Sequence, residues 1–177
     1  MRGLKRGYVQ IYTGNGKGKT TAALGQALRA AGSGLKTFIV QFMKDFQYGE
    51  VKSLQQLNDC IELERYGNDA FVFCKQPPDE KDIAAAKQAL NRAREAMLSG
   101  KYDIVIVDEV CVAIYFTLLE TKEVLMLLEE RPEAVELILT GRYCPSELIE
   151  RADLVTEMRE IKHYYRKGIL ARKGIES

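Results

Sequence analysis

The sequence lacks the features of a secreted protein, of a membrane-spanning protein and of a small domain stabilised by a bound metal. No apolar run approaches the roughly 18 residues of a membrane helix, and none follows the basic start of the chain as a signal peptide requires. Its four cysteines are scattered and form no C-x-x-C pair, which argues against a zinc site or a disulfide framework. We therefore expect reduced thiols, a cytoplasmic location and no membrane contact.

An excess of one charge is also missing. The 26 Lys and Arg residues nearly balance the 25 Asp and Glu residues, so nothing predicts nucleic acid as a partner. The basic residues near the C-terminus are interpreted as solvated charge. The chain of 177 residues shows no repeat and no linker. We predict one domain over residues 1–177, with a short N-terminal arm (1–7) and a C-terminal segment (160–177).

The pattern that is present alternates short β-rich runs with amphipathic helices. Strands are predicted at residues 8–12, 37–42, 61–66, 102–108, 135–140 and 154–158. Helices are predicted at residues 19–31, 50–57, 111–119, 121–130 and 146–151, and between a cap at Asp79 and a stop at Gly100. This order predicts an α/β fold with a mostly parallel sheet flanked by helices.

The first predicted strand is joined to the first predicted helix by a glycine-rich segment, Gly14-Asn15-Gly16-Lys17-Gly18-Lys19-Thr20-Thr21. Glycines let backbone N–H groups approach a phosphate, and the helix N-terminus adds partial positive charge. Lys19 would neutralise terminal phosphates, and the Thr20 hydroxyl would reach Mg²⁺. Thr13 stands where the usual P-loop has its first glycine. The segment predicts a nucleoside triphosphate site; the alternative is a glycine-rich turn without a ligand.

A pair of acids, Asp108 and Glu109, follows the apolar run Ile104-Val105-Ile106-Val107. In a P-loop fold this strand end is the place for a carboxylate that holds Mg²⁺ directly or through water. The competing interpretation is two solvated acids at the end of a strand. Together with Thr20, these acids are the predicted metal ligands. Arg142, after a later strand, is a candidate phosphate contact or a surface salt-bridge partner.

These motifs, taken together, are similar to those of the P-loop corrinoid adenosyltransferases. The resemblance covers nearly the whole chain. It rests on YTGNGKGKTTAALG (12–25), VQFMK (40–44), YDIVIVDE (102–109), LTGR (139–142), ADLVTEM (152–158), KH (162–163) and GILARKGIE (168–176). The short phosphate loop is itself the form found in that family.

The resemblance implies an enzyme that transfers the 5′-deoxyadenosyl group of ATP to the Co(I) centre of a corrinoid and releases triphosphate. The role would lie in adenosylcobalamin synthesis or salvage. ATP and the corrinoid (cobalamin) would be substrates and Mg²⁺ (or Mn²⁺) the cofactor. Lys19 and Thr20 would act on the leaving triphosphate. The resemblance also implies a homodimer and an electron-donating flavoprotein that reduces Co(II).

The family displaces the lower axial ligand of cobalt with aromatic side chains. The matching positions here are Phe71 and Phe73, in a polar and irregular segment. The alternative is a pair of core aromatics on a strand. His163, the only histidine, is interpreted either as structural or as a site residue.

Other functional classes stay open at this point. A P-loop ATPase or nucleotide-dependent switch protein would use Glu109 to orient a hydrolytic water and would release ADP and phosphate. A small-molecule kinase would carry an arginine-rich lid, and no compact arginine cluster lies between Gly67 and Pro78. A non-catalytic binding module would have no need for both Thr20 and the two acids.

Overall fold

The computed structural model describes residues 3–44, 49–68 and 78–176. Its strands form one parallel sheet. Over those ranges the sheet has six strands in the order β3-β2-β4-β5-β1-β6, and every pairing is parallel. Their bounds are β1 Val9–Thr13, β2 Thr37–Phe42, β3 Ile61–Tyr66, β4 Ile104–Asp108, β5 Glu136–Thr140 and β6 Leu154–Glu157. The predicted α/β fold is confirmed.

Helices connect the strands and cover both faces of the sheet. Their bounds are α1 Lys19–Gly32, α2 Gly49–Gln55, α3 Glu80–Leu98, α4 Val110–Tyr115, α5 Thr121–Glu129 and α6 Ser146–Arg151, with a 3₁₀ turn at Tyr164–Lys167. Helices α1 and α2 pack on one face with Ile39, Ile106 and Ile138. Helices α3 to α6 pack on the other face, against alternate strand residues such as Val105 and Val107.

Burial on both faces explains the near-continuous apolar runs. All five residues of β4 are buried, as are all six of β2, because helices cover the two faces of the sheet there. The edge strand β6 differs, since all four of its residues are exposed. The centre of the sheet is therefore dry, while β6 is exposed along one edge.

Most predicted boundaries hold to within two residues, and the predicted Asp79 cap is confirmed. Its side chain accepts hydrogen bonds from the backbone N–H groups of Lys81 and Asp82 at 2.9 Å each. One prediction is wrong: the helix placed at 111–119 ends at Tyr115. Thr117 adopts a left-handed conformation (φ 60°), and a residue in that conformation ends the helical hydrogen-bond ladder.

The topology brings the predicted functional segments together at the edge formed by the carboxyl-terminal ends of the strands. In a parallel sheet all strands end on the same side, so the segments after β1, β2, β4 and β5 meet there. Gln41 in β2 is paired with Asp108 in β4. This edge carries the phosphate loop and the acidic pair.

Candidate nucleotide-binding site

The phosphate loop is packed tightly against the backbone that follows β6. A Cβ atom added at Gly14 would lie 2.5 Å from the carbonyl oxygen of Met158, and one at Gly16 would lie 2.7 Å from the same atom. The Gly16 N–H donates to that oxygen at 2.7 Å, and the Glu160 N–H donates to Asn15 Oδ1 at 3.0 Å. The glycines are therefore required by close backbone contact as well as by loop conformation.

Helix α1 begins at the loop with its first N–H groups uncovered by a side-chain cap. Gly18 is the N-cap residue in a left-handed conformation (φ 117°), and it supplies no side chain. Backbone N–H groups of the first helical turn have no partner within the helix, so they are available to a bound anion. The helix start is thus built as a phosphate cradle.

Lys19 lies inside this cradle. Its side chain is buried, and Nζ donates to the carbonyl oxygen of Gly16 at 2.7 Å. Burial lowers the pKa of Lys19 below its ordinary value; the charge of Arg142 acts the same way, while Glu109 and Asp108 oppose the shift. The ammonium is held in place before any ligand arrives.

Asp108 is the centre of a buried hydrogen-bond cluster. Its Oδ1 accepts from the hydroxyls of Thr20 (2.9 Å) and Thr140 (2.6 Å), and its Oδ2 accepts from Gln41 Nε2 (3.1 Å) and Lys44 Nζ (2.7 Å). Burial alone would raise its pKa, but the Lys44 ammonium and these hydrogen bonds outweigh burial and lower it. Asp108 is therefore a carboxylate locked in position.

Glu109 stands beside this cluster in a strained backbone conformation. It is the N-cap residue of α4 with φ 67°, an uncommon value for a residue with a side chain, and its N–H donates to Thr140 Oγ1 at 2.9 Å. Burial first, and the charge of Asp108 second, raise the pKa of its carboxyl. Glu109 lines the same cavity as the loop.

The cavity has a volume of about 970 Å³, at the upper end of the range for ligand pockets. The phosphate loop and α1 form one side of it, and Glu109, Arg142 and Lys44 lie at the strand ends. Leu54 and Leu57 add apolar surface on the side of α2, and His163 and residues 174–176 close the remaining side.

The side of the cavity formed by His163 and residues 174–176 is stabilised by a small cluster of side chains near the C-terminus. The Tyr164 hydroxyl donates to Glu176 Oε1, and the Arg172 guanidinium contacts the Glu176 carboxylate at 3.2 Å. The same guanidinium lies over the Tyr164 ring, 4.7 Å from its centroid. We call Tyr164, Arg172 and Glu176 the C-terminal clasp.

The structure brings most of the predicted site residues together. Those that line the cavity are Gly16, Lys17, Gly18, Lys19, Thr20, Thr21, Glu109 and Arg142. Asp108 is buried behind the cavity wall, where it accepts a hydrogen bond from the Thr20 hydroxyl. Gly14 and Asn15 face the backbone after β6. Phe71 and Phe73 lie outside the described residues, so their predicted role against the corrin stays a prediction.

Sequence reasoning missed the polar partners of Asp108, namely Gln41, Lys44 and Thr140. A signal was present: each lies at or just after the end of a predicted strand. Parallel strand ends converge at one edge, so these side chains were candidates for the cluster. His163 lines the cavity, and its Nδ1 accepts from the Tyr165 N–H at 3.1 Å.

The oxygen atoms at this site suit a metal that is bound partly by the protein and partly by phosphate oxygens. Thr20 donates its hydroxyl hydrogen to Asp108, which leaves the oxygen lone pairs available. Among residues 3–44, 49–68 and 78–176 no cluster of three His, Cys, Asp or Glu could hold a metal without help. Mg²⁺ characteristically binds one or two carboxylates together with substrate phosphates, so Thr20 and Glu109 fit that ion.

Two further predictions concern cysteines and membranes. Cys60, Cys111 and Cys144, the cysteines in the described ranges, are free thiols, in agreement with the expectation from the sequence. Among the helices in the same ranges, none combines the length and the apolar character needed to cross a bilayer.

Comparison with known proteins gives one consistent family. The model of the family "ATP:corrinoid adenosyltransferase BtuR/CobO/CobP" matches residues 5–177. The corrinoid adenosyltransferase of Escherichia coli (strain K12) is 36% identical over 173 residues, which cover 97% of this chain and 86% of that protein. The corrinoid adenosyltransferase of Pseudomonas aeruginosa is 34% identical, with 97% and 84% covered. The corrinoid adenosyltransferase CobA of Salmonella typhimurium is also 34% identical, with 97% and 86% covered.

Proposed function

This chain belongs to the ATP:corrinoid adenosyltransferase family and is a corrinoid adenosyltransferase, and from that premise we propose a specific reaction. The 5′-deoxyadenosyl group of ATP moves to the Co(I) centre of a corrinoid, and triphosphate leaves intact. The observation that carries the proposal is the cavity itself. Its volume is about 970 Å³, and it is lined by the phosphate loop, by Arg142 and by the apolar side chains of Leu54 and Leu57.

The proposed reaction is a displacement at C5′ of ATP. The cobalt of the substrate donates an electron pair to C5′, the bond from C5′ to the bridging oxygen breaks, and that pair stays on the triphosphate. In this proposal Lys19 and the N–H groups at the start of α1 stabilise that negative charge; the buried position of Lys19 and the start of α1 without a side-chain cap support this role. Arg142, across the cavity, provides a further positive charge.

Bound Mg²⁺ would add a Lewis acid at the phosphate oxygens, held by Thr20 and Glu109. Asp108 keeps the Thr20 hydroxyl oriented through its 2.9 Å hydrogen bond. No general base is needed, because Co(I) carries no proton. The protein's task is to align three atoms, the cobalt, C5′ and the bridging oxygen.

Further parts of the proposal rest on the family resemblance. Phe71 and Phe73 would cover the lower face of the corrin and exclude its axial ligand, so that a flavoprotein can reduce Co(II). Replacing both with Ala should abolish turnover with reduced flavodoxin and spare turnover with chemically reduced corrinoid. Equal loss with both reductants and a lower melting temperature would instead identify them as core residues.

A cytoplasmic homodimer is also proposed. The open edge strand β6, with Leu154 and Val155 exposed, supports an interface between copies because unpaired edges invite further strand pairing. Sedimentation at micromolar concentration should give a dimer, and a monomer would contradict this assignment.

The reaction itself is tested by its products. The protein is incubated with ATP, Mg²⁺ and chemically reduced corrinoid, and the Co–C bond is followed by absorbance. Triphosphate should form in equal amount to the alkylated corrinoid. Release of ADP and phosphate without a Co–C bond would establish the alternative, a P-loop ATPase or switch protein.

A further inference from the structure

Lys44 holds a position that neither the sequence motifs nor the proposed reaction explains. It lies just beyond β2, lines the cavity, and keeps 13% of its side chain exposed. Its Nζ is 2.7 Å from Asp108 Oδ2, so it forms an ion pair with the most buried acid of the site. A lysine here places a full positive charge beside the predicted metal-binding edge.

The carboxylate of Asp108 is fully used as an acceptor. Each of its oxygens accepts two hydrogen bonds, from Thr20 and Thr140 on one side and from Gln41 and Lys44 on the other. A carboxylate offers about four lone-pair directions, so nothing remains for a cation unless a donor leaves. Lys44 and Thr20 both line the cavity, and Lys44 is the charged member of the set.

Positive charges lie close to the acidic pair. Lys19, Lys44 and Arg142 all act on Glu109 and oppose a further cation at its carboxylate. Glu50, which also lines the cavity and acts on Lys44, offsets part of this effect. A metal–triphosphate complex is anionic, so the same charges attract it.

We propose that Lys44 is the resident counter-ion of Asp108, which excludes free divalent metal from the nucleotide-free site so that metal enters only as the nucleotide complex. The phosphates would then offer the Lys44 ammonium a further anionic partner within the cavity. This role rests on the proposed function only in requiring a metal–nucleotide site. Lys44 is thus a positioning residue that orders metal and nucleotide binding.

The test measures binding of Mn²⁺ alone to the nucleotide-free protein by electron paramagnetic resonance of the free ion. Lys44→Met removes the charge and keeps the length of the side chain. Its Mn²⁺ affinity should rise about tenfold or more, since an opposing charge is removed at short range. Lys52→Met removes an equal charge from an exposed position on α2 and should bind Mn²⁺ as weakly as the wild type. Equal Mn²⁺ affinity in all three proteins would overturn the proposal.

A purely structural role for Lys44 is separated by thermal unfolding. Lys44→Met leaves Asp108 without its ion pair, so the melting temperature should fall. Mn²⁺ should restore it in Lys44→Met but not in Lys44→Met/Asp108→Asn. A fall that Mn²⁺ does not reverse would make Lys44 a stabilising partner only and would overturn the proposal.

A second variant covers poor folding of Lys44→Met. Lys44→Gln removes the charge but can keep a hydrogen-bond donor toward Asp108, so its Mn²⁺ affinity should rise less than that of Lys44→Met; no rise in either variant would overturn the proposal. Transfer activity is not measured in any arm. A chain that shows the Lys44 effect but forms no Co–C bond would therefore keep this inference and lose the proposed function.

Discussion

Two sides of the same cavity are built in different ways. The side made by the strand ends holds Lys19 and Asp108 buried, and each is tied by hydrogen bonds within the loop or between strands. The side made by the C-terminal segment is largely exposed, and the clasp of Tyr164, Arg172 and Glu176 holds it. Hydrogen bonds between exposed groups contribute less than those within a packed core.

The difference has a functional meaning. Charge stabilisation requires donors that do not reorganise during the reaction, and burial provides that rigidity. The exposed side lacks that rigidity, because its contacts are made by partly exposed side chains. The two sides meet where the loop binds the backbone at Met158 and Glu160. Substitutions on each side should therefore fail in different ways.

The largest effect is expected at Lys19. Lys19→Ala removes the buried charge that is proposed to stabilise the leaving triphosphate, so turnover should fall by about 100-fold or more. The melting temperature should stay near that of the wild type, because the alanine leaves no buried charge behind. Steady-state assays with chemically reduced corrinoid measure the loss, and a variant that keeps more than about a tenth of turnover would remove Lys19 from the site.

Glu109 should rank next. Glu109→Gln keeps the shape of the side chain and removes its negative charge, so Mg²⁺ should be needed at higher concentration and turnover should fall by roughly 30-fold. Circular dichroism should show an intact fold. Titration of activity with Mg²⁺ is the measurement, and an unchanged midpoint would show that Glu109 does not hold the metal.

The junction of the two sides is tested at Gly16. Gly16→Ala places a Cβ 2.7 Å from the Met158 carbonyl oxygen, so loop and backbone must separate. We expect about a tenfold loss of turnover, because misplaced donors no longer match the leaving group. Gly32→Ala is the matched control, since nothing lies within 4 Å of its added Cβ, and it should keep full activity. Similar losses in both variants would contradict the close-contact explanation.

The smallest effect is expected at the clasp. Glu176→Gln weakens the contacts to Arg172 and Tyr164, and the KM for ATP should rise by about two- to fivefold while kcat changes little. Lys173→Met, exposed in the same segment, is the control and should leave both constants unchanged. A fall in kcat as large as that of Glu109→Gln would mean that the two sides of the cavity do not differ as described.

Local patterns predicted the strands and helices well where the periodicity of apolar residues is clear. The strands at Thr37–Phe42 and Ile61–Tyr66 and the helix at Ser146–Arg151 lie where the apolar periodicity placed them. The helix predicted at 111–119 is too long, because the left-handed backbone at Thr117 sets the end of the helix. Threonine does not favour that conformation, so only the packing of the turn reveals it.

The sequence by itself determined the α/β fold, the phosphate loop and the family, because glycine spacing, a Lys-Thr pair and buried β-branched runs are local and specific. The tertiary structure alone decided how these parts combine. It placed Gln41, Lys44 and Thr140 on Asp108, residues up to 67 positions apart in the chain, by bringing parallel strand ends to one edge. Such contacts depend on strand order, and strand order arises from packing across the whole sheet, which no short stretch of sequence encodes.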